Sequence, residues 1–179
     1  MDKSDELREI VRVFAQYGFR KTSMRDLAES LGISRQAFYN RFPSKEAAFE
    51  WAALSLIQQS RDACLSALNG EGPVRVRIAE AFYAWIGQYV DLFKAAPHSA
   101  EIVTMVSDVS SEKVDKAAAD IRKAIVKLLK NSSPGRTRGD AEALALTIHM
   151  AAKGLLSVVD NSRAYRRELE RIINILPLD

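Results

Sequence analysis

The chain has 179 residues, 47% of them apolar, with 26 lysines and arginines against 23 aspartates and glutamates. That length and apolar share can bury one good core and a small second one, which excludes a disordered chain. The net charge of +3 is local: residues 1–45 hold nine basic and six acidic side chains and the remainder is balanced, so the whole excess sits where a footprint for phosphate would need it.

Cys64 is the sole cysteine and has no partner for an internal disulfide, and His98 and His149 do not stand at zinc-ligand spacing with it. Neither a metal nor another cofactor is expected. The opening MDKSDELREI is charged and lacks the apolar stretch of a signal peptide, and no run approaches the roughly 18 apolar residues of a membrane span. The expected compartment is the cytoplasm, with no membrane partner.

In chain order, Leu7, Ile10, Val11, Phe14 and Ala15 share one face of a first helix that Gly18 can close. Ser23 then stands where it can cap MRDLAESL, with Asp26 reaching back in the manner of a capping box. This short helix ends at Gly32, and Ser34 caps a second one, RQAFYNRF. Two short helices joined by a turn of about four residues containing glycine have helix-turn-helix spacing. Pro43 breaks the chain, Ser44 caps again, and 45–68 predicts one long helix up to the punctuation at Asn69-Gly70-Glu71-Gly72-Pro73.

Residues 74–95 read as a further single helix. Glu80, Ala84, Gly87, Gln88 and Asp91 fall on one narrow strip that reads as facing out, and apolar side chains cover most of the remaining circumference. Such a helix is central and packed on several sides. Pro97 separates it from a short segment near 99–107, and 111–131 is amphipathic. After the loop SSPGRTRG, 140–159 carries the stripe Leu144, Ile148, Ala151, Leu155 and Val159, and 163–176 carries Leu169, Ile172, Ile173 and Leu176. His149 and Lys153, beside Glu142, read as a solvated polar strip. Nothing alternates with period two, so the fold class is all-α.

The stretch Gly18–Phe49, GFRKTSMRDLAESLGISRQAFYNRFPSKEAAF, resembles the DNA-binding domain of the tetracycline-repressor (TetR) family. The resemblance rests on Gly18-Phe19, Thr22-Ser23, Asp26-Leu27-Ala28, Leu31-Gly32-Ile33-Ser34, Phe38-Tyr39, Phe42 and Lys45-Glu46. It implies an N-terminal three-helix helix-turn-helix domain over 1–46, connected by the long helix to a helical ligand-binding and dimerisation domain over 47–179. Independently of the family, Leu27, Ala28, Leu31, Ile33, Phe38 and Phe42 can lock the two short helices together. Arg35, Gln36, Tyr39 and Asn40 are then left on the far side of the second helix, facing a major groove of double-stranded operator DNA. Arginine can read guanine bidentately and glutamine or asparagine adenine, while Ala37 can pack on a thymine methyl. The resemblance implies phosphate contacts from Tyr39 and Lys45, and from Thr22, Ser23 and Arg25 near the start of the first short helix.

One helix-turn-helix makes too few contacts for tight operator binding, so a homodimer is expected. The stripe Leu144, Ile148, Ala151, Leu155 and Val159, with Leu169, Ile172 and Ile173, is the candidate interface, as the resemblance also implies; packing on the chain's own core accounts for the same stripe. A pocket for a small-molecule effector is expected among Phe82, Trp85, Tyr89, Phe93, His98, Ile102, Met105 and Met150. Core packing explains these residues equally well. In this reading an occupied pocket tilts the long helix and spreads the recognition helices apart. No catalytic set or glycine-rich phosphate loop stands out, so an enzyme is not expected. The rival is a helical adaptor that binds protein and not DNA. The resemblance alone favours a repressor over an activator.

Overall fold

Every regular element among residues 3–178, which the computed structural model describes save for the side chains of Ser107 and Val109, is helical. The order is α1 (Lys3–Tyr17), α2 (Met24–Ser30), α3 (Arg35–Arg41), α4 (Lys45–Asn69), α5 (Val74–Trp85), a 3-10 turn (Gly87–Tyr89), α6 (Val90–Ala95), α7 (Ser99–Ser132), α8 (Arg138–Leu155) and α9 (Ser162–Ile175).

The single helix expected over 74–95 breaks after Trp85, where Ile86 leaves helical geometry at φ −126° and ψ −50°. The cause is a close approach. A Cβ on the buried Gly87 would lie 2.6 Å from Cδ1 of Tyr165 and 2.7 Å from Cδ2 of Tyr83, so the bare backbone is what admits the Tyr165 ring. That ring is fully buried, and its hydroxyl donates to the Ala152 carbonyl at 3.1 Å.

The polar strip of this segment does not simply face water, either. Glu80 accepts two hydrogen bonds from Arg166, at 2.6 and 3.1 Å, and Asp91 accepts the Ser162 N–H at 2.8 Å together with its hydroxyl. The strip is therefore where α9 docks.

The short segment expected near 99–107 and the helix expected over 111–131 are likewise two stretches, which meet at a non-helical residue within α7. The kink between them is at Ser110, whose φ is −138° and whose hydroxyl donates back to the Val106 carbonyl, a bond that bends helices.

The chain divides into two compact units. The first comprises residues up to Gln58 together with Leu92–Val114. Its core joins Ile10, Phe14, Leu27, Phe38 and Phe49 to Ile102, with Phe93 and Met105 packed against them. The boundary expected after residue 46 is thus displaced, and Leu92–Val114 groups with the N-terminal unit because its apolar side chains complete that unit's core. The second unit comprises Gln59–Asp91 and the chain from Asp115 onward. Its core includes Phe82, Ile121, Ile125, Leu129, Ile148, Tyr165 and Leu169.

Two polar groups in the second unit are held uncharged by burial. The Cys64 thiol is pushed up to about 12 and so stays an inert packing group. His149 is buried, with its ring 6.0 Å from that of Phe82 in an edge-on contact. Burial, followed by the positive charges of Arg122 and Lys153, keeps its pKa below the usual imidazole value. Of the expected solvated strip, only Lys153 and Glu142 are exposed.

Gly87→Ala places a methyl group between two rings that cannot both retreat, and overpacking of this kind costs about 1–3 kcal/mol. Chemical denaturation should show the loss, and an unchanged midpoint would mean that Tyr165 can move aside.

Candidate nucleic-acid interface

The helix-turn-helix lies within the first unit and is built from local hydrogen bonds. Ser23 caps α2 by accepting the Asp26 N–H at 3.2 Å, while Asp26 accepts the Ser23 N–H at 2.8 Å, which closes a capping box. The same bonds hold the Asp26 carboxyl below the usual carboxylate range. Gly32 ends the helix at φ +66°, a left-handed conformation that costs glycine nothing. The turn then closes through Ile33 N–H to the Ala28 carbonyl at 3.1 Å, and Ser34 caps α3 by accepting the Ala37 N–H at 3.1 Å.

Among the seven residues of α3, Phe38 is the buried one. Its ring lies 5.0 Å from that of Phe42, which in turn lies 5.2 Å from Trp51 on α4. At the far end of α3, Arg41 forms a forked pair with Glu6 of α1, one arm at 2.8 Å. Glu6 is buried, so this charge-assisted contact fixes the helix end to α1.

Arg35, Gln36, Tyr39 and Asn40 are exposed together on the opposite side, with Ala37 half-buried beside them. They are ordered in pairs one turn apart: the Arg35 guanidinium lies over the Tyr39 ring at 5.5 Å, and the Gln36 amide donates to Asn40 Oδ1 at 3.0 Å. The face offers a guanidinium and two carboxamides without an acidic neighbour on α3. Those are the donor and acceptor types that read base edges.

The residues expected at phosphates behave differently from one another. Arg25 is exposed and pairs with the exposed Glu29 at 2.6 Å, and an ion pair in this much water is weak. It can be given up for a phosphate. Thr22 corrects its expectation: it is 2% exposed, and its hydroxyl donates to the Gly18 carbonyl at 2.8 Å, so it builds the turn before α2. The Ser23 hydroxyl is engaged with Asp26 at 2.7 Å. Lys45 is a strut, with its ammonium donating to the carbonyls of Phe19 at 2.7 Å and Arg20 at 3.4 Å and lying 4.6 Å from the centre of the Phe19 ring. Motif matching had no means of finding the Glu6–Arg41 fork, whose partners lie far apart in the chain.

The residues expected to line an effector pocket divide between the two units. Phe93 and Ile102 edge an apolar cavity of only about 10 Å³ in the first unit, where Met105 also packs. His98, in the same unit, lies 3.4 Å from Glu101 and donates its backbone N–H to the Ala15 carbonyl. In the second unit Phe82 is fully buried in the core, Trp85 packs on that core, and Tyr89 accepts the Ser60 hydroxyl at 3.0 Å. Met150 is 59% exposed and points away from it.

The expected dimer stripe is corrected in the same way. Ile148, Leu155, Val159, Leu169 and Ile173 are buried in the second unit's own core, with Leu144 and Ile172 packed against it and Ala151 half-buried. Among the described residues no group of His, Cys, Asp and Glu side chains could hold a metal ion, and no helix is long and apolar enough to cross a membrane.

Residues 7–50 match the family model of bacterial regulatory proteins of the tetR family. Over 76 residues the chain is 33% identical to the uncharacterized HTH-type transcriptional regulator YezE of Bacillus subtilis, an alignment covering 42% of this chain and 39% of that protein. The fold is similar to that of the TetR family transcriptional regulator PfmR from Thermus thermophilus, at 20% identity and a TM-score of 0.61 over 97% of this chain and 96% of the other. It is similar also to a regulator of the TetR/AcrR family from Thermobifida fusca, at 16% identity and a TM-score of 0.65 over 95% and 94% of the two chains.

Because Phe38 holds α3 and the exposed face does not, Phe38→Ala should cost about 3–5 kcal/mol of stability. Arg35→Ala should change it by less than about 0.5 kcal/mol. Denaturant titration of both variants separates the anchor from the reading surface.

Proposed function

We propose that this chain, a member of the tetR family of bacterial regulatory proteins, is a transcription regulator that binds operator DNA as a homodimer and is released from it by a small molecule. The observation that carries the DNA reading is the α3 face, on which Arg35, Gln36, Ala37 and Asn40 stand outward on a helix pinned from behind by Phe38 and Glu6. In this proposal those four residues contact base edges. Arg25, Tyr39 and the remaining proton of Lys45 take phosphates, while Ser23 and Thr22 hold the geometry. The localised positive charge of residues 1–45 supports the same reading. The resemblance favours a repressor.

For the dimer, α8 supports a face turned away from the stripe that its apolar spacing suggested. Ala143, Thr147, Met150 and Gly154 are exposed and lie along one side of the helix. Small side chains around one methionine allow close helix approach. Half-sites about one helical turn or more apart then follow from the two-fold symmetry.

Binding of genomic fragments by the purified protein at two salt concentrations, with footprinting of what is retained, tests the proposal. A protected palindrome whose binding weakens steeply with salt is the expected result. Arg35→Ala and Asn40→Ala should each cost about 1–3 kcal/mol and relax preference at one position. No retention at low salt would leave the protein adaptor as the better reading. Met150→Glu should shift the protein to monomers in sedimentation and weaken operator binding with it, and a variant that stays dimeric would place the interface elsewhere.

A further inference from the structure

The second unit holds a groove of about 680 Å³ between the C-terminal half of α7 and the start of α8, a size typical of small-molecule sites. Along α7, acids and bases are mixed from Glu112 to Asp120, but residues 121–132 carry four cations and no acid. Those four, Arg122, Lys123, Lys127 and Lys130, line the groove, and Arg138 of α8 joins them. The sole acid on the lining, Glu142, is already engaged by Arg138 at 2.7 Å. Among the described residues the four α7 cations make no hydrogen bond or salt bridge to a protein group.

Helix dipoles do not account for this cluster. A cation gains from the dipole only within the last turn of a helix, which covers Lys130 but not Arg122 or Lys123, and Arg138 sits in a first turn, where the dipole opposes it. Like charges gathered in a concave site focus the field and raise the local concentration of anions.

Beneath the charges the groove is apolar. Ala119, Val126, Ala145 and Leu146 contribute to its lining, and Leu146 is left 52% exposed to water. One turn beyond Ala145, the buried His149 has an Nδ1 with neither a hydrogen-bond partner nor solvent. The positive charge of Arg122 helps to keep that imidazole neutral.

We propose that this groove binds a small amphipathic anion, with a carboxylate or phosphate head against the α7 cations and an apolar portion across Val126 and Leu146. A neutral apolar molecule would leave the charges unmatched, and inorganic phosphate would leave the floor wet.

Calorimetric titration of the full-length protein with octanoate, octyl phosphate, octanol and inorganic phosphate, without DNA, reads this site separately from operator binding. The two anionic amphiphiles should bind at least about tenfold more tightly than either octanol or inorganic phosphate. Replacing Lys123 and Lys127 together by glutamine should weaken them by about tenfold or more. The thermal midpoint should not change, because both side chains are exposed. Octanol binding as tightly as octanoate, absence of binding by both anions at millimolar concentration, or full affinity in the double variant would each overturn the proposal.

Discussion

The presentation of the whole reading face rests on one ring. A helix of seven residues does not hold together in water by itself, since isolated helices below about 12–15 residues are marginal. α3 exists because Phe38 is buried against Phe42 and the first unit's core, and it has the orientation it has because Ser34 fixes one end and the Glu6–Arg41 fork the other. Buried anchor and exposed readers are thereby separated within two turns of backbone. Substitutions that retune Arg35, Gln36 or Asn40 leave the anchor untouched, so the readers can vary without loss of the helix that carries them.

The elements legible in the sequence are those specified by neighbours a few residues apart. Ser23 and Asp26, the positive φ of Gly32 and the Ser34 cap are all short-range signals, and the structure places each where spacing predicts. What spacing does not encode is the identity of the distant group that covers a face. The periodicity of 74–95 is that of one helix, yet the Tyr165 ring enters at Gly87 and breaks it. His149 and Lys153 are one turn apart on a polar strip by pattern, but Phe82 lies against the former and water around the latter. The Leu144 to Val159 stripe is one apolar face by spacing, and nothing in spacing distinguishes a chain's own core from a partner's. Thr22 stood among residues of the right type for phosphate, and a single carbonyl at Gly18 claimed it.

Charge counting illustrates the same point from the other side. Residues beyond 45 sum to zero, which reads as an electrically featureless second region. Within that sum every acid of α7 lies at or before Asp120 while residues 121–132 carry cations alone, and folding sets that cationic stretch beside Arg138. A balanced total is compatible with a strongly one-signed groove because field depends on placement and not on the sum.

The first unit is discontinuous in sequence, since its core needs Ile102 as well as Phe14 and Phe49. A ribosome delivers residues in order, so when the helix-turn-helix has left the exit tunnel its supporting layer has yet to be made. Until the chain has grown past Val114, the apolar sides of α1 and α4 around Val11, Ala52 and Leu56 stay uncovered. The nascent protein therefore acquires a finished DNA-reading unit only after Gln59–Asp91 of the other unit has already been synthesised, and a gene truncated just beyond the recognition helix would encode a sticky fragment rather than a minimal DNA binder.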